Sequence, residues 1–488
     1  MKILQQLQGW QGKRPALAHL LATLFADLLS PEYFPSVSTL KYWHLQGIID
    51  NNESRRLTER EALQACATMF LKRAGDKLPA IRNRVASHSL KQLRTLAGQL
   101  IDEILQEQQI GSSRVASHAQ GVMSSLAHGI VQLYHRVVLS GKIVRQRHED
   151  LPHELLNALS RLGRLHIEAG QEDQAASVHE VLARCRQPLH AWGLPIFTDS
   201  HFPFRDCVLI DPDLYVPTID CLEIAQKHGG STADILEHES FERLREIAQA
   251  TEGQANRVYT LMREFIGRFS LTTYDDILVY MQQHMLPNEA LLFLVNDVYM
   301  EVPEAWLIDG KALRCGHCRT LLRPDPRQPQ MPYCPMRACR DLTPSTTIGA
   351  QLDARKARVV KPHLLSYWVN PAIDELRIYD AANAAGIPAA LYPDMDRCDI
   401  SLKDIKSNQE IDFDVKAHRD PIMLGKRLNV SVSTSENQSK LIIVIPDGVA
   451  KLRSQYIALV KDELIDKDAM EIMLVSTAMH LIKRLAHA

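Results

Sequence analysis

The tripeptide Asp414-Val415-Lys416 lies in the run EIDFDVKAH, where Ile411, Phe413, Val415 and Ala417 alternate with Asp412, Asp414, Lys416 and His418. Period-two alternation predicts a strand that buries one face and points Asp414 and Lys416 out of the other. A carboxylate offers oxygen to a hard divalent cation, and a lysine two residues on, on the same face, can orient or help deprotonate a water. Phosphodiester hydrolysis needs both, together with positive charge near the developing phosphorane. A second group is CGHCRTLLRPDPRQPQMPYCPMRAC, in which Cys315 pairs by spacing with Cys318 and Cys334 with Cys339 across a loop carrying Pro324, Pro326 and Pro329. Two such knuckles suit a ribbon clasping one tetrahedral Zn²⁺ through four thiolates. With every position filled by protein, the ion is expected to hold structure and perform no chemistry. A thioredoxin-like redox pair would need a single CxxC in a βαβ context, and neither matches. His317, between the first two cysteines, is expected to point outward.

A chain of 488 residues exceeds what one core organises, so roughly two to four domains are expected. Its 45% hydrophobic and 23% charged residues are those of an ordinary globular protein, and a net charge of −2 excludes a strongly basic molecule. Charge is uneven, however. Between Lys311 and Lys361, eleven basic residues face only Asp325, Asp341 and Asp353. Such a segment could meet a polyanion or be a solvated loop surface. Arg314, Arg319, Arg323, Arg337 and Arg340 surround the cysteine knuckles, which makes a nucleic-acid-binding face a second expectation for the ribbon. The first residues lack the unbroken apolar core of a signal peptide, and ALAHLLATLFADLL is too short to span a bilayer. Nine cysteines, four of them in metal-like spacing, fit a reducing compartment, so a cytoplasmic protein with no membrane partner is expected.

Four parts follow from texture. Residues 1–186 are rich in Leu, Ala, Gln, Arg and His with helical spacing such as Leu93, Leu96 and Leu100, and read as a helical domain. The pentapeptide RVASH at Arg84–His88 and again at Arg114–His118 could mark a duplicated helical unit, although coincidence accounts for five residues equally simply. His148, Glu149 and Asp150 read as a solvated turn, since adjacent residues do not converge on a ligand. Residues 187–302 open with prolines that exclude a long helix and then return to helices. Residues 303–345 are the ribbon, and residues 360–488 a C-terminal α/β domain. There Asn370 and Pro371 predict an N-cap and first turn, the helix through AIDELRIYDAANAA stops at Gly386, and AALY, CDISL and EIDFDVKA predict three strands. The polar loop KRLNVSVSTSENQSK, a strand in LIIVIPD, a helix in VAKLRSQYIALVKDEL, a strand in EIMLVS and a final amphipathic helix complete it.

From roughly Lys361 to Ala488 this arrangement resembles the PD-(D/E)xK nuclease superfamily, the fold of many restriction endonucleases and junction resolvases. In that family an acid at the start of the second strand and an acid-x-Lys pair on the third hold one or two magnesium ions, and a glutamate of the preceding helix often joins them. The resemblance implies Asp399 as the first acid, Asp414 and Lys416 as the pair, Glu375 as the helix residue, and Mg²⁺ or Mn²⁺ as the catalytic ion. Asp414 replaces the more frequent glutamate, and a literal Pro-Asp occurs at Pro393-Asp394. Asp399 is preferred because Ile400 and Leu402 would face the core while Asp399 and Ser401 face the site, whereas Asp394 and Asp396 fit a turn. Asp374 and Asp380 compete with Glu375. His418 could touch phosphate or be structural, and Cys398 reads as a small core residue.

A zinc ribbon before such a nuclease, behind a long helical region, is similar to the restriction-endonuclease-like proteins of bacterial defence islands that accompany pPIWI-RE proteins. That resemblance implies a metal-dependent DNA nuclease acting with partner proteins, bound through the helical N-terminal region, against phage or plasmid DNA. The alternative is a non-catalytic scaffold that binds nucleic acid or protein through an inactive nuclease fold.

Overall fold

The computed structural model describes residues 2–488 apart from 27, 30–32, 51–55, 74–76, 141–150, 227–234, 344, 405–407, 433–439, 467–469 and 488. His148–Asp150 therefore lie outside the described residues. The chain divides into two compact units, Met1–Ser117 and His118–Ala488.

The first unit is helical. Helix Glu59–Arg73 buries every residue from Glu61 to Leu71, as the apolar run ALQACATMFL with no polar face requires. Its two polar interruptions are satisfied locally: Gln64 Oε1 accepts from Asp50 N at 2.9 Å, and Thr68 Oγ1 donates to Gln64 O at 2.7 Å. Leu17, Leu21, Phe25, Trp43 and Phe70 form the surrounding core. The two RVASH copies differ in conformation: the first crosses the end of helix Leu78–Val85, and the second lies inside helix Leu90–Ser140. They are not a duplicated unit.

In the second unit helices His153–Glu168, Ile235–Gln249 and Ala255–Arg268 precede the ribbon. Five strands, β1 (Ala389–Leu391), β2 (Ile400–Lys403), β3 (Glu410–Val415), β4 (Lys440–Ile445) and β5 (Glu471–Leu474), form one sheet in the order β5-β4-β3-β2-β1. β1, β2 and β3 pair antiparallel, whereas β3, β4 and β5 pair parallel. Helices Asn370–Ala384 and Val475–His487 pack on one another and on the sheet. Helices Pro421–Val432 and Tyr456–Glu463 enclose a separate core of Leu424, Leu428, Val460, Ile443 and Ile445. Covering on both faces explains why LIIVIP is continuously apolar where β3 alternates. It also corrects one expectation: the second face of β3 is not open, because Asp412 is buried against Arg397 and His418 is buried as well.

Three further expectations change. Asn370 is not an N-cap, because the helix continues from Pro362–Leu364 through a π-helical segment, Leu365–Val369. The wider π turn lets Pro371 follow without an ordinary helical donor, and Asn370 Oδ1 instead accepts from Ala338 N at 3.1 Å. The predicted polar loop is helical as far as Val432, residues 433–439 lie outside the described residues, and its last residue, Lys440, opens β4. The helix predicted in VAKLRSQYIALVKDEL is two, Asp447–Ala450 and Tyr456–Glu463, divided where Gln455 adopts φ +59°. No helix among the described residues is long and apolar enough to cross a membrane.

Candidate active site and metal centre

β2 begins at Ile400 and pairs only as far as Phe413 on β3, so Val415 N has no ladder partner from β2. Asp399 fills that place: its Oδ2 accepts from Val415 N at 2.6 Å. One residue on either side of Val415, Lys416 Nζ donates to Asp414 Oδ1 at 2.7 Å. Glu375 reaches the same region from helix Asn370–Ala384, 3% exposed, with Oε2 accepting from the Tyr392 hydroxyl at 2.6 Å. Asp374, its competitor, is turned to Arg377 at 2.6 Å, and Asp380 forms a bidentate pair with Arg268.

The acids feel one another. Burial pushes the Glu375 carboxyl up to about 7, opposed by Arg263 and the Tyr392 hydroxyl and reinforced by Asp396 and Asp414. Burial likewise holds Asp399 well above the usual aspartate range, with Glu375 and Asp414 adding to the rise and Lys416 opposing it. Burial pulls the Lys416 ammonium down, but Asp414 and Asp399 outweigh it and keep the lysine charged. Burial and the neighbouring acids thus both disfavour the charged forms of Glu375 and Asp399, a penalty that a bound cation would relieve.

Asp396 also belongs to this neighbourhood, although its place in YPDMD suggested only a turn. The turn is there, and it is strained: Tyr392, Asp394, Met395 and Asp396 all have left-handed backbone, with φ of +48°, +52°, +56° and +81°. Each such residue costs on the order of 1–3 kcal/mol, and such costs gather at functional sites. Asp396 Oδ2 accepts from the Tyr259 hydroxyl at 2.7 Å, and Arg263 Nη2 lies 3.8 Å from it. Asp396 Oδ1 is buried and has no hydrogen-bond partner. Tyr259 and Arg263 lie on helix Ala255–Arg268, and no spacing in the sequence ties residues 137 positions apart.

The hard oxygen donors and the orphaned buried carboxylate oxygen suit a divalent cation such as Mg²⁺ by their chemistry. Each acid also has a protein donor, so the carboxylates surround the place loosely. Among the described residues, the four cysteines are the one group with three or more ligand atoms all within 4.8 Å.

That second group is compact. Cys315 ends strand Lys311–Cys315, Cys334 follows strand Pro332–Tyr333, and Cys339 lies in helix Arg337–Leu342. The Sγ atoms of Cys315 and Cys339 are 3.9 Å apart and those of Cys318 and Cys334 3.5 Å apart. A tetrahedron with Zn–S bonds of about 2.3 Å has edges of about 3.8 Å, so the four sulfurs fit Zn²⁺. Hydrogen bonds from Cys318, Cys334 and Cys339 hold the Cys315 thiol down, while Cys315 and its neighbours push Cys334 up. The four thiols share their protons unequally, and ionising all four together calls for a cation. The first knuckle depends on Gly316, where a Cβ would come within 2.7 Å of Thr347 Oγ1. His317 is exposed.

The arginines around the knuckles largely serve the fold. Buried Arg323 donates to Asp213 O at 2.9 Å and stacks 3.7 Å over the Trp306 ring. Arg340 bridges Cys334 O and Asp213 Oδ2, each at 2.6 Å, and Arg314 donates to Leu271 O at 2.9 Å. Arg337 pairs with Asp341 at 3.5 Å, and Arg319 lies over Phe269. Arg323, Arg340 and Arg314 thus anchor the ribbon, while Arg319 stays exposed. Charge counts cannot reveal this, because they do not show which carbonyl or acid each guanidinium meets.

His418 is structural. Its Nε2 lies 2.8 Å from Glu223 Oε1, which Arg427 Nη1 also approaches at 2.8 Å. Burial alone would raise the Glu223 carboxyl, but the His418 hydrogen bond and the charges of His418 and Arg427 hold it below the ordinary range. A depressed carboxyl contributes stability that is present above its unfolded pKa and lost as pH falls through the folded value. Glu223→Gln is therefore expected to be less stable than wild type by up to about 3 kcal/mol at neutral pH, the scale of breaking a buried pair. Denaturant unfolding from pH 7 to pH 3 should show the gap closing below about pH 4.3, the ordinary glutamate value; a gap independent of pH would exclude the ionised pair.

The strand order defines an α/β domain that sets the acid–lysine group at the β2–β3 junction. Residues 372–488 match the family model described as REase associating with pPIWI_RE, which supports a restriction-endonuclease-like domain linked to pPIWI_RE in this part of the chain. Neither a curated protein nor a solved structure matches the chain.

Proposed function

We propose that residues 360–488 form a metal-dependent nuclease that hydrolyses DNA phosphodiester bonds, with Asp399 and Asp414 as ligands for Mg²⁺ or Mn²⁺, Glu375 as a further acid, and Lys416 at the water or phosphate. The observation that carries this reading is the Asp399–Val415 N bond beside the Lys416–Asp414 pair, which gathers two acids and one ammonium around a single residue of β3. A divalent cation bound there supplies Lewis acidity and a more acidic water. Lys416 keeps a charged ammonium beside the reacting phosphate, Asp414 orients it, and Tyr392 fixes the Glu375 carboxylate. The four cysteines hold structural Zn²⁺ away from this chemistry.

The match of residues 372–488 to a family described by association with pPIWI_RE supports a link to such a system, and on this reading the chain acts against phage or plasmid DNA with protein partners engaged through the helical N-terminal region. The test is cleavage of single-stranded, duplex and branched DNA by the purified full chain, with those partners present. Cutting should require Mg²⁺ or Mn²⁺ and stop with chelator. Inactivity on all three substrates would favour the alternative, a scaffold with an inactive nuclease fold.

A further inference from the structure

We propose that the cavity of about 310 Å³ where helices Arg337–Leu342 and Ile219–Gln226 meet the carboxyl ends of β3 and β4 binds a nucleotide, with Arg419 and Arg337 on its phosphate and Asp220 accepting from an N–H of its base. The inference goes beyond the nuclease reading and stands without it, because none of Glu375, Asp399, Asp414 and Lys416 lines this cavity.

Arg419 lines the cavity between two pinned neighbours. His418 is buried against Glu223 at 2.8 Å, and buried Asp420 accepts from Ile422 N at 2.9 Å and Met423 N at 3.1 Å as it caps the next helix. Arg419 itself forms no ion pair among the described residues, and its buried Nε meets no acceptor. Burial, with the Arg337 charge next to it, pulls its guanidinium below the ordinary arginine range. The ion pair of Arg337 with Asp341 is long, at 3.5 Å. Two guanidiniums brought together in this way suit a phosphate, whose oxygens accept from both.

Across the cavity lies an acceptor. Asp220 is 3% exposed, its carboxylate accepts from the Arg419 backbone N–H, and its Oδ1 is buried without a hydrogen-bond partner. Such an oxygen is costly unless a donor reaches it. Other charges of the lining are already engaged: Arg340 with Asp213 at 2.6 Å, Asp374 with Arg377 at 2.6 Å, and Asp211 Oδ1 with the backbone N–H of Asp213 and of Leu214, each at 2.8 Å. Open donors beside an open acceptor are met fully by neither a simple anion nor a bare cation. They call for one molecule with a phosphate at one end and N–H donors at the other. A nucleotide has both, and 310 Å³ is at the lower end of ligand pockets, which suits one such unit. The location agrees, since open α/β sheets hold ligands outside the carboxyl ends of their parallel strands, and here Arg419 follows β3 and Pro446 follows β4. A free nucleotide and the terminal nucleotide of a DNA strand share this chemistry.

The experiment is calorimetric titration of the zinc-loaded full chain, without added Mg²⁺ or Mn²⁺, with dAMP, dGMP, dCMP, dTMP, inorganic phosphate and a 5′-phosphorylated single-stranded oligonucleotide. Wild type is compared with Arg419→Met, Asp220→Asn and Lys416→Met, and thermal unfolding checks that each is folded. Arg419→Met should weaken nucleotides and inorganic phosphate alike by about 10- to 100-fold, the scale of a hydrogen bond to a charged group. Asp220→Asn can still accept from Arg419 N while its amide turns a donor to the cavity, so it should weaken the nucleotides by about tenfold and leave phosphate unchanged. Should that variant fail to fold, tighter binding of nucleotides than of inorganic phosphate by wild type, with loss of both in Arg419→Met, gives the same reading. Lys416→Met should bind nucleotides as wild type does. Nucleotide binding that Lys416→Met weakens and Arg419→Met does not belongs to the acid–lysine group and overturns the proposal. Phosphate binding as tight as that of any nucleotide overturns it too, as does absence of binding by the wild-type chain at millimolar nucleotide; both leave the nuclease reading standing. Weaker oligonucleotide binding in Arg419→Met identifies the strand terminus as the source, and unchanged oligonucleotide binding beside weakened nucleotides identifies the free ligand.

Discussion

Lys416→Met is expected to lower divalent-cation-dependent DNA cleavage by at least about 10²-fold, the lower end of what a positioned proton-transfer group contributes. Methionine preserves the length of the stem but removes the ammonium that sits 2.7 Å from Asp414 Oδ1. Asp414 then loses its ion-pair partner, and Asp399 loses the charge that opposes the rise of its carboxyl. Metal binding and cleavage should separate: added Mn²⁺ restores neutralising charge but cannot restore a donor at the phosphate. Initial rates across a Mn²⁺ series test this. A folded Lys416→Met protein that reaches the wild-type rate at saturating Mn²⁺ would take Lys416 out of the reaction and leave it as a charge balance only.

The second large effect is on stability. Cys315→Ser with Cys318→Ser should reduce zinc from about one ion per chain to none. It should also remove several kcal/mol from the ribbon, given that structural zinc contributes on the order of 10 kcal/mol in small domains. The consequence should spread, because the ribbon is tied into its surroundings at many points. Arg340 joins Cys334 O to Asp213, and Ala338 N donates to Asn370 at the start of the helix that carries Glu375. Elemental analysis and thermal unfolding check both parts. Full zinc loss with unchanged unfolding would show the ribbon to be a dispensable appendage.

How much of this could be read from residues alone varied with the range of the interaction. EIDFDVK shows its strand because period-two burial is local, and the Cys315, Cys318, Cys334 and Cys339 spacing gathers four sulfurs because knuckles are local too. Asp399 was legible for a related reason: its strand pairs with its neighbour in sequence, and its carboxylate caps the end of that ladder. The errors share the opposite cause. Asn370-Pro371 satisfies every short-range rule for a helix start, yet the chain before it is already helical, since packing of Tyr367 and Trp368 in the core outweighs local preference. The knuckle arginines look free until Asp213, Trp306 and Leu271 are brought beside them by folding. Tyr259 and Arg263 carry no local sign of their contacts with Asp396.

The reach of those last contacts has a kinetic meaning. Pairing β2 with β3 closes a short loop, whereas bringing Tyr259 to Asp396 closes one of 137 residues, and through it must pass the whole ribbon. Closing the longer loop costs more chain entropy than closing the shorter one. A partly folded or truncated chain can thus possess every strand of its sheet and still lack the Tyr259–Asp396 contact.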